Sequence, residues 1–200
     1  MKKYWHKTID KFSKIWVCFA VGLIFWFIGE FVWAVYNLLL GVEIPYPSIA
    51  DAFWLIGYIP VFLALYFYVK LFGAVLSKKM LASSFLITAI LTIIVSVTLI
   101  ISIIEAEADL LASLVGLAYP FFDLGLFSVA LLGHLIFLKG GLGKSWLLLT
   151  GATLLDVVAD LLFCYTTVQE IYYNGHPLEL LYHFSYLLYL LAFYVHSKEL

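Results

Sequence analysis

The chain has 200 residues, of which 65% are apolar and 12% charged, with a mean hydropathy of +1.07. Soluble domains are about half apolar and a quarter charged, so no substantial part of this chain is expected to fold in water, and lipid is its first partner. The net charge of −2 sets 13 acids against 11 lysines, which excludes a basic nucleic-acid surface, and about 20 residues per span leaves no room for a separate catalytic module.

Six apolar stretches run along the chain, at residues 15–40, 52–69, 80–104, 110–138, 145–167 and 180–196. A closed barrel would show many short stretches of alternating polarity, so these read as helices of one all-α, polytopic membrane bundle spanning residues 1–200. The first run follows five lysines but exceeds a signal-peptide core and lacks a small-residue cleavage site, which makes it a span. It carries the stripe Trp26, Glu30, Trp33 and Asn37 on one helical face.

Between the first two spans, Ser48 is placed to cap span two with Asp51 in its first turn, and Asp51 shares a face with Trp54, Leu55 and Tyr58. Span three holds no acid or base, and its step of Ser84, Thr88, Thr92 and Ser96 suits close helix packing. Span four is long and contains Tyr119-Pro120, where a kink or an interfacial first turn is expected, then Asp123 and His134. Gly143-Lys144-Ser145 resembles the end of a phosphate loop, but the first glycine of that pattern would fall at Leu138 with no strand before it. Span five sets Asp156 and Asp160 one turn apart on one face, and span six does the same with Glu179 and His183. His6, His176 and His196 read as solvated, and Cys18 and Cys164 as small apolar side chains too far apart for a disulfide.

Lysine placement orients the bundle, because lysine-rich short loops stay cytoplasmic. With both termini inside, Lys2, Lys3, Lys7, Lys11, Lys14, Lys70, Lys78, Lys79, Lys139, Lys144 and Lys198 all fall on the cytoplasmic side of a cell membrane. The opposite loops hold Glu43, Glu105, Glu107, Asp109, Glu170 and Glu179. Laying residue 51 on residue 179 superposes Asp51, Trp54, Gly57, Tyr58, Ala64 and Tyr66 on Glu179, Tyr182, Ser185, Tyr186, Ala192 and Tyr194. Spans one and two therefore look like a parallel repeat of spans five and six.

Ionisable groups at membrane depth cost roughly 2.5 to 3.5 kcal/mol each on insertion scales, and they mark function when no partner is evident. Glu30, Asp123, Asp156 and Asp160 are such groups, and no intramembrane lysine or arginine is available to them. With Asp51 and His183 nearer the outer ends, and Trp33 and Tyr58 as aromatic walls, they are expected to form an outward-facing ligand-binding pocket. Acids gathered this way either hold protons or hold a cation. A divalent metal such as manganese or zinc would be held by Glu30, Asp51, Asp123, Asp160 and His183; carboxylates among aromatics would also suit an organic cation. A zinc hydrolase would show clustered histidines, so an enzyme is not the leading expectation.

Pro47-Ser48-Ile49-Ala50-Asp51, then Trp54-Leu55, Gly57-Tyr58, Tyr119-Pro120, Asp123 and the Asp156/Asp160 span resemble the multi-span sensory domains that precede diguanylate cyclase (GGDEF) and EAL modules in bacteria. The resemblance implies a signal-input module, here without an output domain in the sequence, acting through a cytoplasmic or membrane signalling partner. The expected function is a sensor or receptor-like module for a cation or small cationic ligand. A cation- or proton-coupled transporter and a metal-dependent intramembrane enzyme are its alternatives.

Overall fold

The computed structural model describes residues 11–42, 44–105, 110–169 and 171–199, with the side chains of 11, 100–105 and 168 excepted. Lys2, Lys3, Lys7, His6, Glu43, Glu107, Asp109 and Glu170 lie outside the described residues. The described chain forms six helices in order: α1 (Lys11–Ala34), continued by a π-helical segment Val35–Leu40, α2 (Ile49–Leu71), α3 (Lys78–Glu105), α4 (Leu110–Phe137), α5 (Gly143–Val168) and α6 (Glu179–Glu199). Five of them, α1 to α5, are long and apolar enough to cross a membrane. Each of the six predicted stretches falls within one of these helices or overruns its end by a residue. α2 and α4 continue as helix through Pro60 and Pro120. The Gly116 carbonyl, which the Pro120 ring leaves without its helical N–H donor, accepts instead from Cys164 Sγ of α5 at 3.7 Å.

The chain divides into two compact units, Met1–Gly73 and Ala74–Leu200. The first is the antiparallel hairpin of α1 and α2. Its seam on α1 is Ile15, Phe19, Gly22, Trp26 and Gly29, and on α2 it is Ala50, Gly57, Val61, Ala64 and Tyr68, all buried. The steps of four and three residues on α1, and of seven, four, three and four on α2, are the spacing that keeps two helices in register along their length. Glycine is required where backbones approach: a methyl group at Gly22 would overlap Val61 and the carbonyl of Gly57.

The second unit holds α3 to α6. Its apolar core joins Val95 and Leu99 of α3, Leu124, Phe127 and Leu131 of α4, and Val157 of α5. Of the hydroxyl stripe on α3, Ser84 is buried and donates to the Ser128 carbonyl on α4 at 3.3 Å, so this part of the stripe does bring helices together. Trp146 of α5 stacks on Phe137 of α4 with centroids 5.6 Å apart and lies over Gly133.

The α5–α6 hairpin repeats the packing of α1–α2. Laying Ile15 on Ser145 carries the α1 seam onto Ser145, Leu149, Ala152, Asp156 and Ala159, every one of them buried. Laying residue 51 on residue 179 carries the α2 seam onto Leu178, Ser185, Tyr189, Ala192 and His196, and the last four are the buried residues of α6. His196 is thus a correction to the sequence reading: it sits 3% exposed in the seam rather than in solvent, at the position Tyr68 takes in the first hairpin. Cys18 and Cys164 are both free thiols.

Candidate functional site

Helix spacing puts Asp156 and Asp160 on the side of α5 that turns inward, and α4 brings Asp123 to them from mid-helix. Asp123, Asp156 and Asp160 are 0%, 6% and 7% exposed, and Asp123 and Asp160 stand in hydrogen-bond contact with each other. α6 closes the group with hydroxyls. Tyr182 donates to Asp160 Oδ1 at 2.6 Å, Tyr189 donates to Asp156 Oδ2 at 3.1 Å, and Ser185 places another hydroxyl beside Asp156. The other oxygen, Asp160 Oδ2, receives no N–H or O–H from any described residue. α4 carries no lysine or arginine, and on α5 and α6 the lysines are Lys144 and Lys198, at the far ends. Three carboxyls thus meet at the junction of three helices with hydroxyl donors and no positive charge.

The first unit carries a related clasp. Trp54 of α2 donates Nε1 to Glu30 Oε1 at 3.2 Å, and Trp26 donates Nε1 to the Trp54 carbonyl at 3.1 Å. The indole of Trp54 lies over Gly29, where a methyl group would overlap it. In the hairpin correspondence above, Trp54 falls on Tyr182 and Trp26 on Asp156, while Glu30 falls on Asp160. Both hairpins therefore join a buried or half-buried acid on the first helix to an aromatic donor at the same step of the second.

Other expected site residues have local duties. Asp51 accepts from the Ser48 backbone N–H at 2.6 Å and from its hydroxyl at 2.9 Å, while Ser48 Oγ accepts from the Ala50 N–H, so the pair forms the capping box of α2. Ser48→Ala removes this cap, and the expected cost is about 1 kcal/mol, checked by the thermal midpoint of the purified protein. Tyr58 is buried against Trp26, centroids 5.4 Å apart, inside the hairpin. The Trp33 carbonyl accepts from Asn37 at 3.0 Å. His183 is exposed, its Nδ1 lying 2.8 Å from the carbonyl of Glu179 one turn earlier. Glu179 itself is drawn to the α5–α6 turn by Gly175 N–H at 2.8 Å and Tyr172 hydroxyl at 3.0 Å.

Glu30, Trp33, Asp51 and Tyr58 belong to the first unit, and Asp123, Asp156, Asp160 and His183 to the second. Within the second, the three aspartates come together and His183 does not join the hydrogen bonds that link them. Among the described residues, no three His, Cys, Asp or Glu side chains are placed to hold a metal ion together. The hydrogen-bond partners of these acids that sequence reasoning did not assign are Trp54, Tyr182, Ser185 and Tyr189. The first three were visible as aligned positions of the repeat, whereas Tyr189 falls on Val61 and carried no signal. Comparison with protein-family models, curated proteins and solved structures finds no match.

Proposed function

We propose that this chain is a six-span membrane sensor or receptor-like module with both termini cytoplasmic, whose input is a small cation taken up by Asp123, Asp156 and Asp160. The observation that carries the reading is the burial of these three carboxyls where α4, α5 and α6 meet, with no lysine or arginine near them on those helices. Charge in such a place is tolerated only with a counter-ion or a proton, so occupancy of the site governs how firmly three helices hold together. The burial of all three residues, at 0%, 6% and 7% exposed, suits a proton or a single small ion better than an organic cation. α6 is the sixth span in this reading: 21 residues reach about 31 Å at 1.5 Å each, enough for the hydrocarbon core. The likeness of the Pro47–Asp51, Trp54-Leu55 and Tyr119-Pro120 segments to bacterial sensory domains supports a signalling role, with a membrane or cytoplasmic protein as the receiver.

A second reading, a small cation- or proton-coupled transporter, is supported by the matching seams of the two hairpins, since internal repeats are frequent in transporter folds. The metal-dependent enzyme gains no support from the described residues. The test is the thermal stability of the purified protein in lipid across pH and across sodium, potassium, manganese and zinc, beside the Asp156→Asn/Asp160→Asn double variant. A response in the native protein that the variant lacks is expected. Indifference of both to every cation and to pH would return the carboxyls to holding helix register. Uptake of labelled cation into proteoliposomes would move the assignment from sensor to transporter.

A further inference from the structure

We infer that the ligand of this site is a proton shared between Asp123 and Asp160, and that the pair is a protonation-controlled latch between α4 and α5. The inference rests on reading the three aspartates as a cation site, and it names the cation. Three observations converge on it.

The first is the contact itself. The Asp123 and Asp160 carboxyls meet within the membrane-spanning part of the bundle, and Asp160 Oδ2, on a residue 7% exposed, has no N–H or O–H donor among the described residues. Two carboxyl oxygens in contact attract only when something positive lies between them. The second is the ligand count. Metal cations that prefer oxygen gather about six or more ligands, yet among the described residues no three His, Cys, Asp or Glu side chains are placed to hold a metal ion together. Tyr182 is committed to Asp160 Oδ1 and Tyr189 to Asp156. A proton is the cation that two oxygens suffice to hold.

The third is the surroundings. Asp156 and Cys164 of α5 and Tyr182 and Tyr189 of α6 are titratable groups beside the aspartates, and Tyr186 lies beside Tyr189. None of them carries positive charge. The described part of α3 between its terminal lysines and Glu105 has no acid or base, and His134 lies about 16 Å further along α4 by helical rise. None of these groups supplies positive charge to the pair, which a shared proton does. Release breaks one carboxyl O–H bond, sends the proton to water and takes the pair from one negative charge to two. Repulsion then parts α4 from α5, while Tyr182 keeps α6 attached to Asp160.

Cys164 reports this movement, because its Sγ lies 3.7 Å from the Gly116 carbonyl across the same α4–α5 contact. In full-length protein carrying Cys18→Ser and embedded in lipid, two measurements are made. Infrared spectra at neutral pH are expected to show a protonated-carboxyl carbonyl band that shifts in heavy water and is at least halved in Asp123→Asn and in Asp160→Asn. Maleimide labelling of Cys164 is expected to rise about tenfold more on alkalinisation in the native pair than in Asp160→Asn, whose amide replaces the shared proton with a fixed N–H. Asp123→Asn serves the same purpose should Asp160→Asn fail to fold. A native protein without the band at neutral pH, or labelling profiles that coincide in native and variant proteins, would overturn the latch. If the band is missing while sodium or potassium still raises the thermal midpoint, the proton is wrong and the cation site stands. If neither pH nor any cation acts, both fall together.

Discussion

Asp160→Ala is expected to destabilise the second unit by on the order of 3 kcal/mol, and Asp160→Asn by less than about 1 kcal/mol. The alanine removes two partners at once, leaving the Tyr182 hydroxyl without its acceptor at 2.6 Å and the Asp123 carboxyl without its neighbour. Each buried polar group stranded in this way costs about 1–3 kcal/mol. In lipid no water replaces the lost contact. Asparagine keeps both interactions, since its carbonyl accepts from Tyr182 and its amide donates to Asp123. Equilibrium unfolding in bicelles, followed by tryptophan fluorescence, measures both variants. Glu30→Ala, the corresponding change in the first hairpin, is expected to cost only about 1 kcal/mol, because its bond to Trp54 is longer, at 3.2 Å, and only partly buried. Equal losses for alanine and asparagine at position 160 would mean that volume, and not hydrogen bonding, is what Asp160 contributes.

The helices were legible because the thickness of a bilayer sets their length, and apolar runs of that length leave few alternative boundaries. The carboxyls were legible for a related reason: an acid at mid-span stands out against leucine and phenylalanine whichever way it points. Helical spacing correctly placed Asp156 and Asp160 on one buried face. What spacing within one helix cannot provide is the choice of partner across helices. Asp156 and Asp160, equivalent by period, take different tyrosines because α6 runs antiparallel and meets them at Tyr189 and Tyr182. Asp51 had two readings, ligand and cap, and the structure realises the cap because Ser48 lies three residues before it with both donors in reach. His196 was misread because a polar residue near a chain end resembles a solvated one. The seam reaches one turn past Ala192, and extending the correspondence of residue 51 with residue 179 as far as Tyr68 would have placed it.

Trp146→Ala is expected to cost about 3–5 kcal/mol, the usual loss for removing a large aromatic from a closed core. Trp146 is 1% exposed, stacks on Phe137 and covers Gly133 so closely that no methyl group fits at that position. Gly133→Leu on its own is therefore destabilising too, since the indole is enclosed and cannot yield. The two changes together should lose less than their sum, because the leucine enters the space the indole vacates. A double-mutant cycle on unfolding free energy reads this coupling, with at least about 1 kcal/mol expected for residues in direct contact. Trp146 and Asp160 sit well apart on the α4–α5 contact, about 21 Å along α5 by helical rise. If the tryptophan end anchors the pair while the aspartate end opens, Trp146→Ala lowers stability at every pH by a similar amount, whereas Asp160→Asn changes how stability depends on pH. An alanine variant that instead abolished the pH response would place the anchor and the latch in one cooperative unit.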